Sequence, residues 1–470
     1  MISLYSTALI GSIFSILFVT VNALIASIVT VAFLIATNIT PILIYFCGDN
    51  ILQDKPIHWE GCSDNHDKRR HATYMNPVAN TWYHFADTDE LTNGKVLEIK
   101  ALNNVYALWR DPKTGKPICH EAFCPHLGAN LAIGGKVNND GKIVCPFHSW
   151  EFNADGTIHS IPYLEKDDKE SQSIKKECKL KRKLKLLPCV DFCGLVMVFY
   201  HENEEISEPT FPLPFYIQDE LNGKYHSSIA GIDGTKDHFT KWSPHLKWNV
   251  GFVKLLPNDW VDQAGDHAHF HTLHNEIVIP WTRYKIPQFI HRMFPFSIKH
   301  RLVTYKGTDD KWSEKAEKDL NSSYKHTLEK SYIFFTDIAG IAYNNKLIKS
   351  TESETLEMYV GPALMIFHIP FTLGAFKVFV STTPCEGGSV MRVRTFCNTE
   401  NKLIRFVAWV LGGLSGSQLD SDIVILQNKV RLSKPLIQPY DGPYNRVSGW
   451  FKQFYSEGSD KKVNKYCLDW

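Results

Sequence analysis

Two short segments, CPHLGANL at 124–131 and CPFHSWEF at 145–152, each set a Cys just before a His: Cys124 with His126, and Cys145 with His148. Two thiolates and two imidazoles are a legitimate tetrahedral zinc set. Zinc fingers, however, separate the Cys of a pair by about 2–4 residues and keep both His in the second half. Here each half carries one of each. Mixed pairs on two hairpin tips suit a [2Fe–2S] centre in which two Cys hold one iron and two His hold the other. Exchanging thiolate for neutral imidazole removes negative charge and raises the potential above that of an all-Cys ferredoxin, so such a domain stores and relays single electrons. The nearby Cys119 and His120 fall outside the pattern and read as structural.

A relay of single electrons needs an acceptor, and a facial set of two His and one carboxylate leaves positions on iron open for O2. Only DQAGDHAHFHTLH, residues 262–274, is dense enough in His to supply one. Helical spacing alone aligns His267, His271 and His274 on one stripe.

The Cys/His pairs, with the Pro and aromatic residues inside their loops, resemble the signature of the Rieske oxygenases. The resemblance runs from about residue 76 to 458 and is strongest to the Rieske non-haem iron oxygenases of the cholesterol 7-desaturase family. It implies Asp266, His269 and His274 in place of the helical stripe, with His271 as the rival ligand. It also implies a downstream carboxylate in LDSDIVILQNK, at Asp422, with Asp420 as the alternative. Two residues along a helix turn a side chain by roughly 200°, so only one of the two carboxylates can point inward. Leu426 stands where the family has Trp, and Asp262 where many relatives have Asn; YDGPYNRVSGWFKQFY at 440–455 also resembles that branch.

The family further implies that Asp266 links a Rieske His of one subunit to His269 of its neighbour, in a head-to-tail homotrimer. It implies a mononuclear Fe(II) and O2 as co-substrate. Electrons would come from NAD(P)H through a reductase or ferredoxin, which must be another protein because this chain carries no Gly-rich Rossmann fingerprint. The activity implied is introduction of the C7–C8 double bond into cholesterol. Alternatives are a sterol C24 side-chain dealkylase, a steroid hydroxylase, or a non-catalytic Rieske electron carrier. GPALMIFHIPF at 361–371 is a candidate wall for a sterol-shaped cavity.

The elements that position these residues follow from pattern. Short strands broken by Gly, Asn and Asp, such as VYALWRD and GLVMVFYHE, make residues 76–205 a small all-β domain. Within it, KKECKLKRKLK at 175–185 alternates charge with Leu and reads as an edge strand. Residues 206–458 add longer strands, SYIFFTDIAGIAY and TLEMYVGPALMIFHIP among them, and then helical patterning at NKLIRFVAWVLGGL and LDSDIVILQNKVRL. The fold expected is α+β: a Rieske domain, then an antiparallel, helix-grip-like sheet with C-terminal helices over one face.

Residues 1–48 hold no charged residue and no His, which exceeds the roughly 20 residues of one membrane span. A cleavable signal would want a basic start and an apolar core of about 7–15 residues. The segment therefore reads as an anchor of one or two helices, followed by a linker at 49–75, with a tail at 459–470. Lys68, Arg69 and Arg70 place the two domains on the cytosolic side, consistent with the endoplasmic reticulum. A net charge of +1 gives no field for nucleic acid, and eleven Cys without regular spacing argue for a reducing compartment.

Overall fold

The computed structural model describes residues 78–164, 169–222, 242–278, 285–295, 331–371, 374–386, 388–399, 401–429 and 435–456. The expected anchor, linker and tail lie outside these residues. Among the described residues no helix is long and apolar enough to cross a membrane.

The first half is built of short antiparallel strands. One four-stranded sheet joins β2 (Val96–Ala101), β3 (Asn104–Arg110), β4 (Pro117–Glu121) and β9 (Leu186–Leu187). A second joins β5 (Lys136–Val137), β6 (Ile143–Val144), β7 (Glu151–Phe152) and β8 (Ile158–Ser160). A third, of three strands, holds β1 (Thr81–Asp87), β11 (Leu195–Tyr200) and β10 (Cys189–Phe192).

The charged stretch expected to be an edge strand is instead mostly helix, α1 (Lys169–Lys181). Lys and Glu are strong helix formers, no Gly or Pro interrupts the run, and the Leu alternation is too short to outweigh that propensity.

The second half centres on one antiparallel sheet. Its strand order is β12 (Ser243–Val253), β21 (Gly388–Cys397), β20 (Gly374–Cys385), β19 (Leu364–Phe371), β18 (Ser353–Val360), β16 (Tyr332–Tyr343) and β15 (Phe289–Pro295). The small β17 (Lys346–Leu347) pairs with β16, and β13 (Glu276–Val278) forms a separate hairpin with β14 (Lys285–Pro287). The shorter helices are α2 (Phe215–Leu221), α3 (Pro257–Ala264) and α5 (Tyr444–Lys452). The two stretches of late helical patterning form a single 25-residue helix, α4 (Lys402–Leu426), opened by Asn401, whose side chain accepts from the Leu403 and Ile404 amides.

The sheet is covered on both faces, which is why β16 reads as a near-continuous apolar run and not as an alternating one. Phe334, Leu356, Met358 and Ile366 face back and pack with Trp82, Met197 and Phe199 of the first half. Phe335, Tyr359, Met365 and Val380 face forward and pack with Trp260, Ile423 and Phe451 of the helices. At roughly 1.5–3 kcal/mol for each fully buried large side chain, this two-sided burial outweighs any single ion pair in holding the halves together.

Candidate metal centres

The two Cys–His loops are built alike. In the first, the Cys124 amide donates to the Ala129 carbonyl at 2.8 Å and the Gly128 amide donates to the Cys124 carbonyl at 2.9 Å. In the second, the Cys145 amide donates to the Trp150 carbonyl at 2.8 Å and the Ser149 amide to the Cys145 carbonyl at 3.1 Å. Each loop is closed by a left-handed residue, Gly128 at φ 74° and Ser149 at φ 54°. The turn brings His126 and His148 together, with ring centroids 4.8 Å apart.

The thiols are buried and the imidazoles half-buried near the surface. Burial pushes the Cys124 thiol up to about 12, with the neighbouring Cys145 adding to it. The Cys124 thiol, buried beside Cys145, thus resists ionising unless a cation is bound, which is the requirement of a metal-thiolate site. His126 is held below its usual range by burial and by His148, which favours the neutral, ligating imidazole. Trp150 stacks flat on His126 at 4.6 Å and donates from Nε1 to the Tyr163 hydroxyl at 2.9 Å. The decoys are structural: His120 accepts from Trp109 Nε1 at 3.1 Å, and Cys119 is buried.

The second group is assembled from two distant places, the 266–274 turn and helix α4. Helix α3 ends at Ala264, the chain turns at Gly265, and a short 3-10 turn, Ala268–His271, comes next. This break destroys the helical stripe. His271 is exposed, whereas His269 is partly buried and His274 fully buried. Asp422 comes from α4. One donor atom from each of His269, His274 and Asp422 lies within 4.8 Å of the others. Asp420 is exposed on the same helix.

The contacts within the trio suit a cation. His274 Nε2 lies 2.8 Å from Asp422 Oδ1. Among the described residues that oxygen nevertheless has no hydrogen-bond partner, and neither has His274 Nδ1. Two donors bound at about 2.1 Å and at right angles to each other sit roughly 3 Å apart, so the observed spacing matches adjacent ligands on one ion. His269 Nδ1 donates to the Asp266 carbonyl, which fixes the tautomer and leaves the Nε2 lone pair toward the site, where the Gln263 amide nitrogen stands at 3.1 Å. Burial holds His269 below its usual range, with His274 adding to the effect.

Asp266 itself is half-buried. Its carboxylate accepts from the amides of Ala268 at 3.1 Å and His269 at 3.3 Å, so within this chain it shapes the turn that carries His269. His267 points elsewhere, with its ring against Phe335 at 5.9 Å; burial, with His269 adding, lowers it to about 4. Asp262 is buried on α3.

The trio opens on a cavity of about 530 Å³ between the sheet and α4, within the roughly 300–1,000 Å³ of small-molecule sites. Met365, Phe367, Ile369 and Phe371 of the 361–371 segment line it. Three polar residues on its wall carry no signal in the sequence: His291, Asp337 and Glu357. Asp337 stands in a near-continuous apolar run, and only the strand of Glu357 alternates polar and apolar residues; alternation does not say whether the polar face meets solvent or a cavity.

Residues 81–185 match the Rieske [2Fe-2S] domain family, and residues 218–455, just over half the chain, match the 3-ketosteroid 9alpha-hydroxylase C-terminal domain family. The chain is 28% identical over 402 residues to a cholesterol 7-desaturase of Caenorhabditis elegans, covering 84% of this chain and 81% of the relative. It is 27% identical over 410 residues to one of Xenopus laevis, covering 86% and 78%. The oxygenase component of the 3-ketosteroid-9-alpha-monooxygenase of Rhodococcus rhodochrous is 24% identical over 385 residues, covering 81% and 85%. The crystal structure of dicamba monooxygenase bound to dicamba shares the fold, with a TM-score of 0.50 at 15% identity over 84% of this chain and 99% of that one.

Proposed function

The chain belongs to the Rieske non-haem iron oxygenases of the cholesterol 7-desaturase family, and from that membership we propose that it introduces the C7–C8 double bond into cholesterol. Cholesterol, O2, NAD(P)H and a proton would give 7-dehydrocholesterol, two waters and NAD(P)+. The observation that carries the proposal is the convergence of His269, His274 and Asp422 at one side of a largely apolar cavity. A protein that only carried electrons would need no such second group.

The residues divide the work. Cys124 and Cys145 would hold one iron of the cluster, and His126 and His148, half-buried near the surface, would hold the other, where an electron can enter or leave. His269, His274 and Asp422 would hold a mononuclear iron, which would supply the one-electron chemistry that couples O2 reduction to C–H cleavage. The apolar wall of the cavity beside the trio excludes water. Asp266 positions His269, and in a head-to-tail trimer the same turn would receive the cluster His of a neighbour. NAD(P)H would act through a separate reductase or ferredoxin. The uncharged residues 1–48 support a membrane anchor, which would hold the enzyme where a bilayer-dissolved sterol is found.

The test is expression of the full chain in cells supplied with cholesterol. The expected product shows the ultraviolet absorption of a conjugated diene. No diene from cholesterol, together with loss of the ethyl branch from a C24-ethyl sterol, would replace this reading with a side-chain dealkylase.

A further inference from the structure

The cavity wall is largely apolar, yet a buried His and two buried carboxyl groups with no place in the metal trio face it. His291 Nδ1 lies 2.6 Å from Asp337 Oδ2, and the two side chains are 4% and 6% exposed. Asp337 Oδ1 accepts from the Arg292 amide at 3.2 Å, so both oxygens of that carboxylate are used. The other ring nitrogen of His291 is met by Gln418 Nε2 only at 3.5 Å, the outer edge of hydrogen-bond range. Glu357, on the neighbouring strand, is 8% exposed and has no hydrogen-bond donor among the described residues. Burial raises its carboxyl well above the usual range, with the charges of Asp337 and Asp422 adding to the effect. A neutral carboxyl presents both an O–H donor and a carbonyl acceptor to the cavity.

The placement of this cluster is as informative as its chemistry. The His291 ring centroid is 6.0 Å from that of the ligand His274, and Gln418 is one helical turn from the ligand Asp422 on α4. Along the same helix, the apolar wall residues Leu411 and Val407 lie roughly 16 Å and 22 Å from Asp422 at 1.5 Å per residue. The polar groups are therefore at the metal end of the cavity, and the long apolar part extends away from it.

We infer that His291, Asp337 and Glu357 form a docking point for the single hydroxyl of an otherwise apolar substrate. The hydroxyl-bearing end of the molecule, and not its far hydrocarbon end, then lies beside the metal ligands. The inference rests on the sterol-oxidation proposal and narrows it: the carbons in reach belong to the ring system near the hydroxyl. Asp337 engages His291 through Nδ1 and leaves Nε2 for a ligand on the cavity wall, and the Glu357 carboxyl offers a second hydrogen-bonding group on the same wall. A buried hydroxyl needs both, and a site built to bond it penalises an analogue that leaves the site's own groups unpaired.

The test is equilibrium binding, without reductant, of radiolabelled cholesterol and of its 3-deoxy analogue to the purified, iron-loaded full chain. The wild type should prefer cholesterol by about 10- to 100-fold. Glu357→Leu should bring that preference below about 3-fold by weakening cholesterol alone, whereas Glu357→Gln, which keeps a donor and an acceptor, should retain it. Unchanged affinity for the deoxy analogue and an unchanged reduced-cluster electron paramagnetic resonance signal show that the cavity is intact. Should Glu357→Leu lose that signal, His291→Phe takes its place with the same expectation. A wild type that does not distinguish the two ligands, or a Leu variant that keeps the full preference, overturns the inference. Product analysis separates the two ideas. Hydroxyl preference without a conjugated diene leaves the docking point standing and removes the desaturase proposal, and a diene without the preference does the reverse.

Discussion

Arg394 grips Asp87 with two parallel contacts, Nε to Oδ1 at 2.8 Å and Nη2 to Oδ2 at 2.6 Å, across the joint between the Rieske half and the catalytic sheet. Asp87 ends β1 and Arg394 lies in β21. The guanidinium is further tied to the Trp248 carbonyl at 2.9 Å and to Asn249 Oδ1 at 2.9 Å. Lys247 Nζ reaches the same carboxylate at 2.9 Å. The pair therefore fixes the angle at which the cluster-bearing half meets the sheet that carries the cavity.

Asp87→Ala leaves Arg394 buried without its counter-charge. Breaking a buried pair by removing one partner costs about 3–5 kcal/mol, more than one peripheral apolar contact supplies. Urea unfolding should show a loss of that order, and Arg394→Ala should give a similar loss. The double variant should lose less than the sum, because neither charge is then left alone.

Acid should loosen the same joint in two stages. Burial lowers His84, beside Asp87, to about 4, from an unfolded value of about 6.5. Between those values the unfolded chain takes up a proton that the folded chain refuses, so stability falls as pH drops from about 6.5 to 4. Burial would raise the Asp87 carboxyl, but the close approach of His84 at 3.2 Å and the hydrogen bonds from Arg394 outweigh it and hold the group well below the carboxylate range. Its contribution is complete above an unfolded value of about 3.9 and is lost as pH falls below that. Unfolding measured from pH 7 to 3 should show both losses. In His84→Gln the first should shrink by the share of His84, with the remainder due to His120, His245 and His267, which burial lowers likewise, and the second should remain.

Asp422→Ala should remove the mononuclear iron and leave the cluster intact. Iron analysis should register the missing ion, the reduced-cluster resonance should persist, and turnover should fall beyond the roughly 10–100-fold typical of losing an outer partner of a metal ligand. His271→Ala should change none of the three. Loss of iron in His271→Ala, or its retention in His269→Ala, would contradict the ligand set.

Gly361, in the turn between β18 and β19, has φ 58°, and a Cβ there would lie 2.3 Å from Thr81 Oγ1 and 3.1 Å from the Phe211 ring. Both the backbone and the packing against β1 exclude a side chain. Gly361→Ala should cost about 2 kcal/mol or more, measured by urea unfolding.

The amino-acid sequence alone determined the cluster loops, because each is closed by hydrogen bonds within five residues, from Cys124 to Ala129 and from Cys145 to Trp150, and needs nothing from elsewhere in the chain. It also carried the residue types of the second group, although helical spacing pointed to His267 and His271. The break at Gly265 turned the chain so that His269 faces the site and His271 faces water. Tertiary structure alone decided which polar residues are functional neighbours. Ser353, Thr355, Glu357 and Tyr359 alternate with Leu356, Met358 and Val360, the pattern of a strand with one face toward water. Here the apolar set is buried against the Rieske half and the polar set faces the cavity. A strand's period of two separates its two faces but does not say what lies against either of them; only the packing of α4 and the Rieske half on opposite sides of the sheet settles that.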